Sequence, residues 1–392
     1  MGPASENLHT KRHLKDCTSF GRSLIESSGR KIFAGLSMPP TLDDGWSVAA
    51  PPEVGLDATR LSQLDKFLRQ WPQPNVHAVV IARRGKLVFE RYFRGRERRW
   101  MEWSAPVEFS PTRKHDVRSI SKSVTSLLIG VAISEDRFPS LDSPVIDYFP
   151  EYADLRTVKN GQITFRHLLT MSHGLRWDES RAWKSRANNE RGLLEAKDPN
   201  RYVLEQPMAL PPGASFNYSG GATTLLGAAL AKAVGRTLEV YAREKLFEPL
   251  GITDVEWRGF TNSAEVAAFA GLRLRPRDLA KLGQLVADDG RWNGRQLVPA
   301  WWIVESTKPQ VNAEGPAAMY YGYQWWLGRS LLNGHEFTWT AGYGSGGQRL
   351  FIVPGLDLVV VVNTFNFRHY ISNAILNRFA MPAVTDYPPL PA

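Results

Sequence analysis

The residues of this chain that could do chemistry together begin with a serine and a lysine three positions apart, Ser119-Ile120-Ser121-Lys122. Side chains three residues apart on a helix share one face, so a helix here would place the Lys122 amine beside the Ser119 hydroxyl. A buried lysine can act as a base, and a serine at a helix N-terminus directs its N–H and the positive end of the dipole at the reacting group. This arrangement is what attack on an ester or amide carbonyl requires.

The S-x-x-K spacing carries little weight by itself. The chain contains a second match, Ser28-Gly29-Arg30-Lys31, in a polar stretch that no apolar helix follows. For such a match the default interpretation is a solvated serine and lysine. Ser119 differs because the helix predicted at 121–134 is strongly apolar and therefore central to the fold.

A tyrosine and a glycine-rich segment could supply the remaining parts. Tyr218 stands in residues 216–221 (FNYSGG), directly before a helix predicted at 222–234. A tyrosine in such a place is usually a packing residue, but beside a serine and a lysine it is a candidate base. Residues 340–348 (TAGYGSGGQ) lead into a predicted strand. Their glycines would let the backbone approach a ligand and donate an N–H to it, and the alternative is a flexible hairpin turn.

Other catalytic and binding motifs are absent from the sequence. No serine has glycine both two residues before and two residues after it, as the nucleophile elbow of α/β-hydrolases requires. There is no HExxH helix, no Walker loop and no GxGxxG loop ahead of a helix. The single cysteine, Cys17, cannot form an internal disulfide. We therefore expect neither a metal nor a cofactor.

Composition sets the class of protein. The 392 residues are 43% hydrophobic and 22% charged, which excludes disordered, collagen-like and coiled-coil chains, and no apolar run is long enough to span a membrane. The net charge of +9 could attract nucleic acid, but no known motif organises the basic residues, so we expect no such partner. An N-terminus without an apolar signal core predicts a cytoplasmic protein, the alternative being a periplasmic or secreted precursor.

The order of predicted elements indicates an α/β (α+β) fold. We expect a mainly antiparallel sheet flanked by helices, built from residues 46–113 and 262–392, with a large all-helical insertion at 114–261 and an N-terminal surface arm at 1–45. Asp57 caps a helix that carries apolar residues at helical spacing. The predicted strands are 77–82, 86–92, 336–340, 348–353 and 356–363, with a glycine turn at 83–85, and further helices are 121–134, 165–171, 222–234 and 370–379.

Taken in order, the three chemical elements resemble the serine β-lactamase and D,D-peptidase superfamily. The resemblance is strongest to its class C-like branch, which includes family VIII carboxylesterases and the 6-aminohexanoate-dimer hydrolase. It covers about residues 50–380 and includes residues 163–171 (ITFRHLLTM), 272–283 (LRLRPRDLAKLG) and 292–294 (WNG). The resemblance implies a β-lactamase/transpeptidase-like fold and an acyl-enzyme mechanism. It matches Ser119 to the nucleophile, Lys122 to the partner lysine, and Tyr218 to the tyrosine that shares the base role and protonates the leaving group.

The resemblance leaves two registers for the third motif. With Gly342-Tyr343-Gly344 as the motif, which we favour, Ser345 is the second backbone oxyanion donor after Ser119. With Thr340-Ala341-Gly342, the donor is Tyr343. In either register Gly342, Tyr343 and Gly344 would contact the substrate, and Trp177 would form a wall of the pocket.

Two departures from the family pattern shift the expected substrate. The family's Tyr-x-Asn becomes Tyr218-Ser219-Gly220, so the side-chain amide that contacts a penicillin is missing. The Lys or His that begins the third motif is missing in both registers, and such a site should bind a β-lactam carboxylate poorly because charge-assisted contacts are the strong ones. We therefore expect a serine hydrolase whose first substrate class is small esters and whose second is short amides. The alternatives are a β-lactamase or D,D-peptidase and, third, a non-catalytic binding scaffold.

Overall fold

The computed structural model of the protein describes residues 24–25, 31–33, 36–70, 75–99, 102–313, 320–367 and 371–387. Its strands are β1 (Leu24–Ile25), β2 (Lys31–Phe33), β3 (Leu36–Ser37), β4 (Ser47–Val48), β5 (Val76–Arg83), β6 (Lys86–Tyr92), β7 (Arg94–Gly95), β8 (Arg98–Arg99), β9 (Glu102–Trp103), β10 (Val107–Glu108), β11 (His115–Asp116), β12 (Glu256–Trp257), β13 (Leu272–Leu274), β14 (Arg291–Trp292), β15 (Arg295–Gln296), β16 (Val311–Asn312), β17 (Tyr320–Tyr321), β18 (Trp326–Leu332), β19 (His335–Gly344), β20 (Gln348–Val353) and β21 (Leu358–Thr364). Its α-helices are α1 (Ala58–Gln70), α2 (Ile120–Ser134), α3 (Val145–Tyr148), α4 (Phe165–Leu169), α5 (Asn189–Glu195), α6 (Pro199–Leu204), α7 (Gly220–Val234), α8 (Leu238–Ala242), α9 (Pro276–Ala287), α10 (Ala300–Ser306) and α11 (Ile371–Ile375).

One large sheet organises these elements. Its strand order is β16-β17-β18-β19-β20-β21-β5-β6-β4, and every neighbouring pair is antiparallel except β4 with β6. Strands β5 and β21 come from distant parts of the chain and lie side by side in the interior of the sheet, with Val80 opposite Val361. All residues of these two strands are buried, as expected for strands that are covered on both faces.

A separate apolar core lies on each face of the sheet. Because side chains alternate along a strand, Val80 and Val361 enter a core that also contains α2, α7 and α9, whereas Val79 and Val360 enter a core with α1 and α11. Helix α9 lies close to the sheet at Gly283, where an added Cβ would stand 2.6 Å from a methyl of Val359. The first core is the one that positions the chemically interesting residues.

Helix α2 is buried in that core along most of its length. All residues from Ile120 to Ala132 are buried, because α7, α10 and β19 contact it on different sides. The indole of Trp302, from α10, lies so close to Gly130 that any Cβ there would overlap it, and its Nε1 donates to Ser126 O at 2.9 Å. Within the described ranges, no helix is long and apolar enough to cross a membrane.

The predicted α/β architecture with a mainly antiparallel sheet is confirmed. The hairpin between β5 and β6 also stands where predicted, with positive φ at Arg84 and Gly85. Sequence reasoning missed β18, whose pattern is interrupted by Gly328. The Trp339 indole covers that glycine so closely that a side chain would overlap it, so a residue that resembles a strand breaker is required by cross-strand packing.

Several boundaries differ from the predictions, and α4 ends at Leu169 and α7 begins at Gly220. Strand β19 extends to Gly344 instead of ending at residue 340, and β21 begins at Leu358 because residues 354–356 form a 3₁₀ turn. The C-terminal helix is α11 followed by a π turn at Leu376–Ala380, and residue 370 lies outside the described residues. In the predicted arm, β1, β2 and β3 form a small antiparallel sheet, and Leu36 is buried in the second core. The division into an arm, an α/β domain and a helical insertion stays a prediction.

The close packing of Trp302 on Gly130 yields a stability prediction. We expect Gly130→Val to lower the free energy of unfolding by about 1–3 kcal/mol, because the branched side chain would force α10 away from α2. Gly161→Ala is the matched control, since its Cβ would meet only the end of the Arg156 side chain at 3.5 Å, and its change should stay within about 0.5 kcal/mol. Urea denaturation of both variants measures the difference. Equal midpoints would mean that the contact is not tight.

Candidate active site

A sharp turn presents Ser119 at the start of α2. Strand β11 ends at Asp116, whose Oδ1 accepts the N–H of Arg118 at 2.9 Å, and Val117 N–H donates to Leu272 O at 3.0 Å. Arg118 has φ 55°, a conformation that non-glycine residues adopt only where the surroundings hold them. The turn leaves Ser119 half-buried at the N-cap of α2, where a substrate could reach its hydroxyl.

The amine of Lys122 lies next to that hydroxyl. Lys122 is 2% exposed, and its Nζ donates to Ser119 Oγ at 3.2 Å and to Phe269 O at 3.1 Å. The α-helical spacing brings the two side chains together, and the carbonyl from the segment before β13 holds the amine in place. The pair therefore combines a reachable hydroxyl with a buried amine.

Tyr218 contributes an aromatic ring to the same pair. Lys122 Nζ lies 4.7 Å from the centre of the Tyr218 ring. Tyr218 directly precedes α7, whose N-cap residue Ser219 accepts the N–H of Ala222 at 3.1 Å and so fixes the start of the helix. The ring stacks on Trp326, the first residue of β18, with centroids 5.5 Å apart and planes 27° apart.

Trp326 in turn stacks on Tyr343 of β19, with centroids 5.6 Å apart. We call Tyr218, Trp326 and Tyr343 the aromatic column. The guanidinium of Arg349 lies 3.8 Å from the Tyr343 ring centre and donates to Gly344 O and Gln348 O. The aromatic column thus connects the start of α7 to the end of β19.

Two glycines bring the end of β19 against the turn that presents Ser119. A Cβ at Gly342 would stand 2.9 Å from Ile120 Cγ2, and a Cβ at Gly344 would stand 2.5 Å from Val117 O. Only residues without a side chain allow this approach. The backbone of β19 therefore runs beside Val117 and Ile120, which flank the turn at Ser119.

The direction of the β19 backbone distinguishes the two registers. Gly344 O accepts the N–H of Gly347, so residue 344 faces β20, and because backbone groups alternate along a strand Tyr343 faces the opposite edge. On that edge β18 begins at Trp326, which is paired with Ala341, so Tyr343 lies beyond the end of β18. Ser345 is exposed and lies in the turn between β19 and β20.

A carboxylate lies where the family motif has an asparagine side chain. Gly220 N–H donates to Glu179 Oε1, and a Cβ at Gly220 would stand 3.0 Å from that oxygen. Trp177 Nε1 donates to the same oxygen at 2.7 Å. Trp177 itself is 5% exposed and packs against Gly221, so it offers a substrate little surface and supports Glu179.

A second acidic side chain, Glu190 of α5, is close enough to affect the same charges. Burial raises the pKa of Glu190 to about 7, the Glu179 carboxylate raises it as well, and the Lys122 cation acts in the opposite direction. Glu190 is therefore neutral below about pH 7 and charged above it. Within the described part of the chain, no group of three or more His, Cys, Asp or Glu side chains could hold a metal ion.

The structure brings together Ser119, Lys122, Tyr218 and the end of β19, and it places Ser345 and Trp177 less favourably than the sequence predicted. Sequence reasoning missed Glu179 and Glu190, which lie in loops and short helices without a motif. The departure at Gly220 was the one available signal that another group fills that place.

A model of the family described as Beta-lactamase matches residues 64–379 of the chain. That range contains every element described above around Ser119. The chain belongs to the Beta-lactamase family. The predicted family resemblance is thus confirmed, and the catalytic roles of individual residues remain proposals.

One relative and two solved structures are similar to this Beta-lactamase-family chain. The 6-aminohexanoate-dimer hydrolase of Paenarthrobacter ureafaciens is 25% identical over 342 residues, which are 80% of this chain and 78% of that protein. EstCE1, described as a hydrolase with promiscuous acyltransferase activity, has a TM-score of 0.65 at 17% identity, over 83% of this chain and 98% of its own. The octameric penicillin-binding protein homologue from Pyrococcus abyssi has a TM-score of 0.61 at 19% identity, over 82% of this chain and 78% of its own. These structures confirm the β-lactamase/transpeptidase-like fold, and the hydrolase names agree with the predicted enzyme class.

Proposed function

We propose that this protein hydrolyses small carboxylic esters and short amides through a covalent acyl-enzyme on Ser119. The observation that carries the proposal is the hydrogen bond between Lys122 Nζ and Ser119 Oγ at 3.2 Å, with the Tyr218 ring 4.7 Å from the same amine. A nucleophile, a proton acceptor and a second acid–base group are thereby next to one another.

The proposed reaction has two half-reactions. Ser119 Oγ attacks the carbonyl carbon while its proton passes to the Lys122 and Tyr218 pair, and that proton then moves to the departing alcohol or amine as the bond to the acyl group breaks. A water molecule attacks the acyl-enzyme, gives a proton to the same pair, and releases the carboxylic acid with return of the proton to Ser119. One pair serves both half-reactions because each reverses the proton transfer of the other.

The oxyanion of each tetrahedral intermediate would be bound by two backbone N–H groups. Ser119 N–H lies at the N-terminus of α2, where the helix dipole also favours negative charge. For the second donor we propose Tyr343 in place of Ser345, because Tyr343 faces the edge of β19 that β18 leaves open and Ser345 lies in an exposed turn.

Esters and short amides fit the charges of the site better than β-lactams do. Glu179 and Glu190 both stand near the reacting groups, and an anionic substrate would be repelled by them. One relative is named for hydrolysis of the 6-aminohexanoate dimer, and EstCE1 is described as a hydrolase with promiscuous acyltransferase activity. Both names support the cleavage of acyl bonds by this protein. The likeness to a penicillin-binding protein homologue is the observation that favours the alternative, a β-lactamase or D,D-peptidase.

Ser119→Ala tests the nucleophile. We expect hydrolysis of p-nitrophenyl acetate to fall to the uncatalysed rate, and Lys122→Ala and Tyr218→Phe to lower kcat by ~10²–10⁴-fold, because they remove general-base catalysis. Ser140→Ala removes an exposed serine hydroxyl and should leave the rate unchanged. A fluorophosphonate probe should label wild type at Ser119 alone. Equal rates for wild type and Ser119→Ala refute the assignment, and an unlabelled, inactive wild type favours a binding scaffold.

The oxyanion register is tested by deleting one N–H at a time. Replacing Tyr343 with its α-hydroxy acid exchanges the N–H for an oxygen and keeps the side chain. We expect kcat to fall by ~10²–10³-fold, the usual cost of one oxyanion donor. The same exchange at Ser345 should change kcat little. The reverse pattern would assign the donor to Ser345.

Paired esters test the charge of the pocket. We compare p-nitrophenyl esters of a neutral acyl chain and of a chain of equal length that ends in a carboxylate, and expect kcat/KM to favour the neutral ester by about tenfold or more, since Coulomb repulsion over several ångströms supplies at least that. Glu179→Gln should narrow the ratio, and labelled penicillin should form no adduct with wild type. A preference for the anionic ester, or a stable penicillin adduct, would support the alternative function.

A further inference from the structure

Two buried histidines form a short contact with each other, and one of them belongs to the strand that leads into the candidate nucleophile. His77, in β5, and His115, in β11, are both 0% exposed. Their rings face each other through His77 Nδ1 and His115 Nε2, which are 2.7 Å apart. Phe109 stacks on the His77 ring at 4.2 Å, and Phe365 stacks on the His115 ring at 5.4 Å. Apolar rings thus surround a contact between two nitrogens.

The outer nitrogen of His77 must carry a proton. His77 Nε2 lies 3.0 Å from Asn75 Oδ1, and the orientation of that amide is fixed by its other bonds. Asn75 Oδ1 accepts Arg96 N–H at 3.0 Å, while Asn75 Nδ2 donates to Arg96 O and to Phe365 O at 3.0 and 2.9 Å. A flipped amide would place Nδ2 against an N–H and Oδ1 against two carbonyls. His77 Nε2 therefore faces an acceptor.

The outer nitrogen of His115 must carry a proton for the same reason. His115 Nδ1 lies 2.9 Å from the backbone oxygen of Asp116, and a carbonyl oxygen can only accept. A neutral imidazole has one N–H. If both rings were neutral, their two protons would occupy the outer nitrogens, and two lone pairs would face each other at 2.7 Å.

Three hydrogen bonds thus require three ring protons, and two neutral rings provide two. We propose that His77 and His115 hold one additional proton between Nδ1 and Nε2, so that the pair carries a single positive charge. The shared proton bonds β5, in the centre of the large sheet, to β11, which leads into Ser119.

The charged groups around the pair permit one such proton and oppose a second. Glu97, 1% exposed, attracts a proton at His77; it is paired with Arg273 and also accepts Asp116 N–H at 3.2 Å. Arg273 and Arg118 disfavour charge at His115, and Asp116 is paired with Arg118 at 3.3 Å. Burial lowers the pKa of the His77 ring to about 2 and that of His115 to about 3. Burial therefore opposes charge on either ring, and sharing of one proton requires the short hydrogen bond between the two rings to outweigh burial for one proton but not for a second.

The location gives the pair a positioning role in the proposed hydrolase. Asp116, adjacent to His115, accepts the N–H of Arg118 and so fixes the turn before Ser119. Loss of the shared proton would leave opposed lone pairs and loosen β11 from β5. This role rests on the proposed function, and the proton count does not.

Nuclear magnetic resonance of full-length protein labelled with ¹⁵N-histidine tests the proton count at pH 7. We expect His77 Nε2 and His115 Nδ1 to be fully protonated and the two inner nitrogens to show shifts between the protonated and unprotonated values. The spectra of His77→Gln and His115→Gln assign the signals. Two inner nitrogens at the unprotonated shift, or one ring in the opposite tautomer, would overturn the proposal.

His115→Gln also tests the positioning role, because its side-chain N–H₂ can donate to His77 Nδ1 without an additional proton. We expect wild-type kcat/KM for a neutral ester to fall about fivefold as pH rises through the pKa of the pair, the size of one net buried hydrogen bond. The glutamine variant should lack that step, and His115→Phe should be slower at every pH. Superimposable wild-type and glutamine profiles would overturn the role.

Thermal unfolding gives a readout that does not depend on hydrolysis. If the pair keeps its shared proton at pH 7 against the effect of burial, its folded-state pKa lies above the unfolded value of about 6.5. The contribution of that proton to stability is then fully present below the unfolded value and is lost as pH rises through the folded pKa. Above about pH 7 the wild-type midpoint should therefore decline relative to His115→Gln. A declining midpoint in a protein that hydrolyses no ester would refute the proposed hydrolase function and support the shared proton. Parallel curves for wild type and His115→Gln would refute the shared proton.

Discussion

The hydrogen bond between Lys122 and Ser119 depends on the burial of α2. Helical spacing alone would put the two side chains on one face, but on a surface helix the amine would reach into water. Here residues 120–132 are buried throughout, and the amine is confined between a hydroxyl and the Phe269 carbonyl. Because a buried donor without a partner is costly, this confinement favours one position of the amine.

The other buried polar side chains of α2 also have hydrogen-bond partners, except Ser126, whose Oγ has none. Ser121 Oγ donates to Arg118 O, Ser123 Oγ to Gln324 O, and Thr125 Oγ1 to Ala268 O. Gln324, 1% exposed and with φ 67°, also donates to two carbonyls at the end of α4 and accepts from Thr223 of α7. It lies two residues before Trp326 of the aromatic column. The bonds that satisfy buried polar groups therefore also position the ring against which Tyr218 stacks.

The parts of the structure that depend on the spacing of residues close in sequence could be predicted. Ser119 and Lys122 are one turn apart on an apolar helix, the apolar pattern of β5 and β21 marks central strands, and the fold class followed from element order. The register of the third motif on β19 could not be predicted from the sequence, because it depends on which glycine of β19 contacts Ile120. Glu179 and the contact of His77 with His115 join residues that are distant in sequence or lack any motif. Such contacts arise only after the sheet has brought distant segments together.

Two groups of ionisable side chains, one buried and one half-buried, have different relations to the substrate. The His77 and His115 pair lies behind the turn and is enclosed by aromatic rings, so its charge affects the position of Ser119 and is screened from solvent. Glu190 and Glu179 lie on the side of Lys122 and α7, where a substrate would approach, and Glu190 gains its charge at about pH 7. Binding of an uncharged ester would change little at that pH. A carboxylate-bearing substrate would be repelled by one additional negative charge above it. The proposed pocket would therefore disfavour anionic substrates more strongly above about pH 7 than below it, and the expected preference for neutral acyl groups follows from two carboxylates that no sequence motif indicates.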